Sequence, residues 1–500
     1  MKTLADWQKE FKSPSPDLKQ KLKSIYGNSP LLIKERISSF SKLLSKTSSL
    51  LGKERRIILI RIPGRINLMG VHIEHRGGYV NYLTIQREII MVASPRNDSK
   101  IRGFDVNRKF LPFSFLPGEL LPLKKRGNWL KFISASKIIP GDWANYIKGP
   151  VLRLQDFVKK ELSGMDLVVS GNIPRDSGLS SSSALVVGAS LAYITLNKLR
   201  IPKENLVKLC GEAEWYVGTR GGAGDHAAML FGEKGYVSHL RFFPFTVEKV
   251  PLPSDYTIVI CNSLKKAPKS KGVREAYNST ITSYEMALKL IKKNYPLLSK
   301  KIKYLRDVNP ENLKVNEEKI YEILRSLPLS TKDGYRLRGV ALFGLSECAR
   351  GSITAELLRK GKMGELGKLM FISHNGDRLV SFDKNGKKCL YKKEVTDKYL
   401  EQLCRGLKNN RKESQIVFQP GAFRCSCEEL DELVDISKTI PGVIGAGLTG
   451  AGFGGTVLVL IRNKDVGNFL REIKKKYYQA KGLPFAAEVC ISTEGAGILN

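Results

Sequence analysis

The chain has 500 residues, 42% hydrophobic and 26% charged, an ordinary globular composition whose length points to two or three packed units. No run reaches the ~18 apolar residues of a membrane span, and the opening Met1-Lys-Thr-Leu-Ala-Asp-Trp7 lacks the apolar core of a signal peptide, so no membrane partner and a cytoplasmic location are expected. The formal charge of +35 is spread in short groups such as 124–126 and 474–476, without a basic arm, an aromatic platform or a binding module beside them. That pattern predicts a solvated basic surface and no nucleic-acid groove.

Residues 1–55 mix Ser, Pro and Lys with helical spacing, for instance Ile33, Ile37, Phe40 and Leu44, and are expected to form a helical lead-in. From Arg56 the β-branched run Ile-Ile-Leu-Ile-Arg-Ile reads as a strand that stops at Pro63-Gly64. Further strands are expected at Glu88–Ala93 and Met165–Val169, then a glycine-containing loop and a helix over Ala184–Leu196. Strands at Tyr236–His239 and Thr257–Cys261 precede a helix-rich, Lys-rich region from about 273 to 360. Gly442–Gly455 is glycine-dense and leads into a strand at Thr456–Ile461. The eight cysteines are scattered, and Cys425 and Cys427 lack the second pair of a zinc site, so reduced thiols are expected. The expected division is a lead-in over 1–55, a first α/β unit over 56–245 and a second unit over 246–500, with a cleft between the two units.

The strand–loop–helix junction at Gly171-Asn-Ile-Pro-Arg-Asp-Ser-Gly-Leu-Ser-Ser-Ser-Ser-Ala184 carries the strongest chemical signal. Backbone N–H groups at a helix N-terminus attract anions, and small side chains let a polyphosphate approach them. A Ser-rich linker or a plain N-cap is the alternative, but apolar flanks on both sides embed this run in a core. The loop is neither a Walker loop, lacking Gly-Lys-Ser/Thr, nor a Rossmann fingerprint.

Pro174–Ala184 resembles the Pro-x-x-x-Gly-Leu-Ser-Ser-Ser-Ala motif of the GHMP kinases, with Ser183 where many members have Ala. Ile62-Pro-Gly-Arg-Ile-Asn-Leu-Met-Gly70 resembles the galactokinase signature, and Leu448-Thr-Gly-Ala-Gly-Phe-Gly-Gly455 the family's third, glycine-rich motif. Glu214–Asp225 and Phe423–Asp435 resemble N-acetylgalactosamine kinase more than galactokinase proper. The resemblance implies an α/β (α+β) two-domain GHMP fold, with an N-terminal α/β domain and a C-terminal ferredoxin-like α+β domain. It also implies a monomer that uses ATP and Mg²⁺ to phosphorylate the anomeric hydroxyl of galactose or N-acetylgalactosamine.

By the same resemblance, Asp225 is the catalytic base, and Arg65 stabilises the charge. Glu214 and Ser182 are the metal ligands. Pro174, Ser177, Gly178, Leu179, Ser180, Ser181, Ser182 and Ser183 hold ATP. Arg65, His72, Glu74, Asn145, Tyr146, Asp225, Tyr277 and Gly452 bind the sugar. The family pattern Gly-Glu-His-x-Asp-Tyr is Gly70-Val-His-Ile-Glu-His75 here. Val71 removes one carboxylate and Glu74 lengthens another, changes large enough to alter acceptor choice. Arabinose, a uronic acid or a heptose is therefore an alternative acceptor, and a catalytically silent sugar sensor an alternative role. His226 stands where relatives carry Gln, and Gly376 where they carry Ser; His226 is expected to pack or cap, and His239 and Tyr284 to be structural.

Overall fold

A computed structural model of the chain describes residues 1–107, 110–218, 221–265, 271–383 and 386–499, with backbone alone over 271–277. It opens on β1 (Lys2–Thr3) and three helices, α1 (Leu4–Lys12), α2 (Pro16–Tyr26) and α3 (Pro30–Leu51). Thr3, Ser15 and Ser29 cap their N-termini through side-chain hydroxyls, and Pro16 and Pro30 occupy first turns where a missing N–H costs nothing. The first sheet follows with β2 (Arg56–Met69), β3 (Tyr79–Pro95), β4 (Ile101–Asp105), β5 (Phe113–Phe115), β6 (Met165–Gly171), β7 (Tyr236–Arg241) and β8 (Thr246–Pro251). Its strand order is β1-β2-β3-β6-β4-β5, with β7 on β3 and β8 on β7. β4 and β6 run parallel; the other pairs are antiparallel.

Side-chain alternation along β2 explains why this sheet is covered on both faces. Ile57 and Leu59 meet Leu4, Trp7, Phe11 and Phe40 of the lead-in. Ile58, Ile60 and Ile62 turn the other way, into the core with Val186, Val187 and Ala192 of the helix Ser181–Leu196. The lead-in is thus a layer of the first unit, seated on the face away from that helix. β2 does not stop at Pro63-Gly64 as expected: the register shifts there, Pro63 opposing Glu88 and Gly64 opposing Ile85, and the strand continues to Met69. A bulge absorbs the proline that a regular ladder would reject.

The second unit holds β9 (Tyr256–Asn262), a small hairpin of β10 (Val380–Phe382) and β11 (Lys388–Leu390), and β12 (Val443–Thr449), β13 (Thr456–Arg462) and β14 (Ala487–Val489). β12-β13-β9-β14 form a four-stranded antiparallel sheet. The helix Leu337–Arg359 lies within the helical region expected from about 273 to 360, and the helix Met363–Asp377 follows beyond it. Finally β15 (Gly497–Leu499) returns to the first sheet beside β2. The boundary expected at 245/246 falls inside the β7–β8 hairpin, so the first sheet extends to Pro251 and also takes up 497–499.

Candidate active site

The loop between β6 and the helix Ser181–Leu196 reaches across to the loop between β12 and β13. Gly178 has φ +77°, and a Cβ there would lie 2.6 Å from the Thr449 carbonyl; a Cβ on Gly450 would lie 2.7 Å from the Gly178 carbonyl. Two glycine-bearing turns therefore touch backbone to backbone, which any side chain would prevent. Ser177 donates its hydroxyl to the Pro174 carbonyl at 2.7 Å and is buried, as is Leu179. Ser180, in the left-handed region at φ +61°, precedes the helix without capping it, so the first-turn N–H groups of Ser181, Ser182 and Ser183 have no side-chain cap.

Asp225 sits in the first turn of the helix Gly224–Phe231. Arg65, on β2, clamps it with two bonds, Nε to Oδ1 and Nη2 to Oδ2, both 2.6 Å. The third arm of the guanidinium, Nη1, donates to the Gly178 carbonyl at 2.7 Å, and Ser180 donates its hydroxyl to Asp225 Oδ2. One arginine thus ties a carboxylate to the serine-rich loop. Burial pushes the Asp225 carboxyl up, but Arg65 and then Ser180 outweigh it and hold the group below its ordinary value. The Asp225 side chain keeps 24% exposure, an opening toward solvent beside a buried arginine.

Glu74 joins this cluster from the turn Glu74–Arg76. Tyr82 donates to Glu74 Oε2 at 3.4 Å, and the Arg65 guanidinium lies 5.7 Å from the Tyr82 ring. Burial, then the neighbouring Asp225 charge, raises Glu74 to about 7. Its longer arm is taken up by a glycine: a Cβ on Gly222 would lie 2.0 Å from Glu74 Oε1.

At the end of the helix Lys203–Glu214, Glu214 accepts the Ser183 hydroxyl at 2.8 Å and lies 2.9 Å from His226 Nε2. Burial alone would raise Glu214; His226 and Ser183 outweigh it and hold the carboxyl below its ordinary value. Ser183, not Ser182, is the hydroxyl that reaches this glutamate. His226 is buried as expected, but against Glu214.

The other expected sugar residues stand apart. His72, at φ +63°, stacks on Phe423 and meets Cys425. Asn145 is buried and donates to the Ile139 carbonyl at 2.8 Å, with Tyr146 beside it at the start of the helix Asn145–Val158. Gly452 lies in the glycine loop at φ +85°, against the Cys425 carbonyl. The side chain of Tyr277 lies outside the described residues. Val71 is buried, and its N–H, with that of Gly70, donates to Glu347. His239 is structural, bonding Asn81 and stacking on Tyr79. Tyr82 and Glu347 were not singled out by sequence, because neither lies in a recognisable motif.

Comparison with known proteins matches residues 48–95 to the galactokinase galactose-binding signature, 145–233 to the GHMP kinase N-terminal domain and 393–479 to the GHMP kinase C-terminal domain. The galactokinase of Fusobacterium nucleatum is 30% identical over 439 residues, covering 87% of this chain and 93% of that one. The chain belongs to the galactokinase family of GHMP kinases. The galactokinase of Roseiflexus sp. (strain RS-1) is 28% identical over 443 residues, 88% of this chain and 92% of that one. The crystal structure of Lactococcus lactis galactokinase complexed with galactose aligns with a TM-score of 0.71 at 25% identity, over 92% of this chain and all of that one. As a member of this family the chain is a sugar kinase, a phosphotransferase that draws on ATP. No helix among the described residues is long and apolar enough to cross a membrane.

Proposed function

We propose that the chain transfers the γ-phosphoryl group of ATP to the anomeric hydroxyl of galactose, or of N-acetylgalactosamine. The observation that carries this reading is the Arg65 clamp, which fixes Asp225 at the edge of the Gly178–Ser183 loop. The L. lactis relative, whose structure holds galactose, supports the choice of sugar.

Phosphoryl transfer asks little covalent chemistry of the protein and much positioning. The uncapped N–H groups of Ser181–Ser183 and the loop hydroxyls bind phosphate oxygens. Asp225 accepts a hydrogen bond from the attacking hydroxyl and takes its proton; its lowered pKa keeps it ionised at neutral pH. Arg65 preserves that ionisation and places positive charge beside the developing negative charge. Glu74 and Tyr82 line the acceptor side and offer hydrogen bonds to ring hydroxyls.

The donor set at Glu214 and Ser183 is all oxygen, a lowered carboxyl and a hydroxyl 2.8 Å apart, which suits a hard cation such as Mg²⁺. These two residues would hold it. When bound, the ion neutralises charge on the phosphates. His226 Nε2 meets the same Glu214 oxygen as Ser183, Oε2, and helps to orient the carboxylate.

ADP release across a panel of galactose, N-acetylgalactosamine, arabinose, a uronic acid and a heptose tests the reading, with the phosphorylated carbon identified by ³¹P–¹H correlation. Galactose or N-acetylgalactosamine should give the highest kcat/KM and a 1-phosphate. A higher kcat/KM with a pentose or heptose would overturn the acceptor. ADP release no lower in Asp225→Ala than in wild type would overturn the role of Asp225 as base.

A further inference from the structure

A second cluster lies outside the Asp225 site, where the first unit meets the second. His72, from the loop after β2, faces Asp377 at the end of the helix Met363–Asp377 and Cys425 in the loop before the helix Glu428–Lys438. His72 Nε2 lies 3.2 Å from Cys425 Sγ and 3.7 Å from Asp377 Oδ1, and Cys425 Sγ lies 3.1 Å from the same oxygen. Tetrahedral sites with bonds of about 2.0–2.3 Å to N, O and S set their ligands roughly 3.3–3.7 Å apart. The triangle is close to that size. The His72 ring is held parallel to Phe423, with 4.3 Å between centroids and 8° between planes, which aims Nε2 at the sulfur.

Charge gives a second, independent indication. Among the described residues the buried carboxylates are Glu88, Asp156, Asp166, Glu347, Asp377 and Asp431. Glu88, Asp156, Asp166 and Glu347 each meet an arginine, while Asp431 takes two backbone N–H groups, a hydroxyl and a close histidine. Asp377 has only the Cys425 thiol on Oδ1, and Oδ2 has no partner although the side chain is 1% exposed. A buried carboxyl with an unmet oxygen is costly and calls for a ligand.

We propose that His72, Asp377 and Cys425 bind one divalent transition cation of the zinc class, which clips the two units together. The mixed nitrogen, sulfur and carboxylate donors select such a cation over Mg²⁺ or Ca²⁺. Binding displaces the Cys425 thiol proton, and the proton that burial favours on Asp377, to solvent and forms metal–sulfur, metal–nitrogen and metal–oxygen bonds. Thiolate, carboxylate and neutral imidazole then balance the two positive charges, so the buried cluster carries no net charge. Asp377 also lines a cavity of about 10 Å³ with Val71, Ser373 and His374, room for a single water.

Titration of the nucleotide-free full-length chain with Co²⁺ tests this directly. Wild type should develop tetrahedral d–d bands and a sulfur-to-cobalt charge-transfer band that saturate at about one equivalent, resist excess Mg²⁺ and vanish on adding Zn²⁺. Cys425→Ser should abolish the charge-transfer band, Asp377→Asn should weaken Co²⁺ affinity about 10-fold or more, and Cys427→Ser should leave both unchanged. Absence of the band in wild-type chain overturns the proposal without reference to any variant. Its persistence in Cys425→Ser does so equally.

Discussion

At the scale of single residues the site is a set of carboxylates whose ionisation is set by their neighbours. Asp225→Asn keeps the shape and removes the acceptor for the sugar proton. The expected result is a fall in kcat of roughly 10²–10⁴, with sugar affinity by calorimetry changed only a few-fold. Glu74 behaves in the opposite sense from Asp225. Its folded pKa of about 7 lies above the ordinary value, so the folded state holds the proton more tightly than the unfolded chain. Stability from this group is present in acid and is lost as pH rises from about 4.5 through 7. Relative to Glu74→Gln, the wild-type chain should lose on the order of 2 kcal/mol across that window, measured by urea unfolding at fixed pH values. Arg65, Asp225 and Glu214 were legible because each stands in a motif whose chemistry needs that residue type. The partner of Glu214 was less legible among four consecutive serines, because the phase at which the helix starts decides which hydroxyl faces inward. Ser180 falls outside the helix at φ +61°, and the inward one is Ser183. Tyr82 and Asp377 were illegible, since what matters about each is a contact with a distant segment.

The elements around the site work through glycines that let backbone approach backbone. Gly178→Ala would place a methyl 2.6 Å from the Thr449 carbonyl in a conformation that L-residues resist. The loop must then withdraw from β12. The KM for ATP should rise about 10-fold while sugar affinity stays near wild type, with strain of order 1–3 kcal/mol lowering thermal stability. Sequence placed both loops and the strands beside them correctly. It ended β2 six residues early, because Pro63 lacks the N–H of a ladder and the bulge that accommodates it depends on β3. It also shortened β3, since Gln86, Arg87 and Glu88 interrupt the apolar run. Glu88 lies within the sheet because arginines on two other elements neutralise it.

Across the whole molecule that glutamate is the fastening of the lead-in. Glu88 accepts Arg61 at 2.6 Å, Arg36 of α3 at 3.2 Å and the Tyr26 hydroxyl at 2.8 Å, and Arg61 reaches Thr493 near the other end of the chain. Glu88→Ala would leave Arg61 buried without a counter-charge and Arg36 with Glu35 alone. A loss of about 3–5 kcal/mol is expected in denaturant unfolding, against a much smaller loss for Tyr26→Phe, which removes one hydrogen bond and no charge. The helical character of residues 1–55 was readable from spacing. Their place was not, because β2 alternates between two apolar faces and nothing local says which one needs a cover.

The pairing of β1 and β15 on one edge of β2 has a topological meaning. Lys2 opposes Ile57 and Leu499 opposes Leu59, so residues 2 and 499 are held two rungs apart. The sheet thereby closes the contour into a ring of almost the full chain. Loop entropy grows only logarithmically, by about 0.6 kcal/mol for each doubling of length, so a ring this large costs little more than one half its size. A short linker from Leu499 to Lys2 would make the ring covalent. The exposed turn at Thr331–Gly334 then becomes a place where the chain can be reopened, with both kinase units and the cleft between them intact.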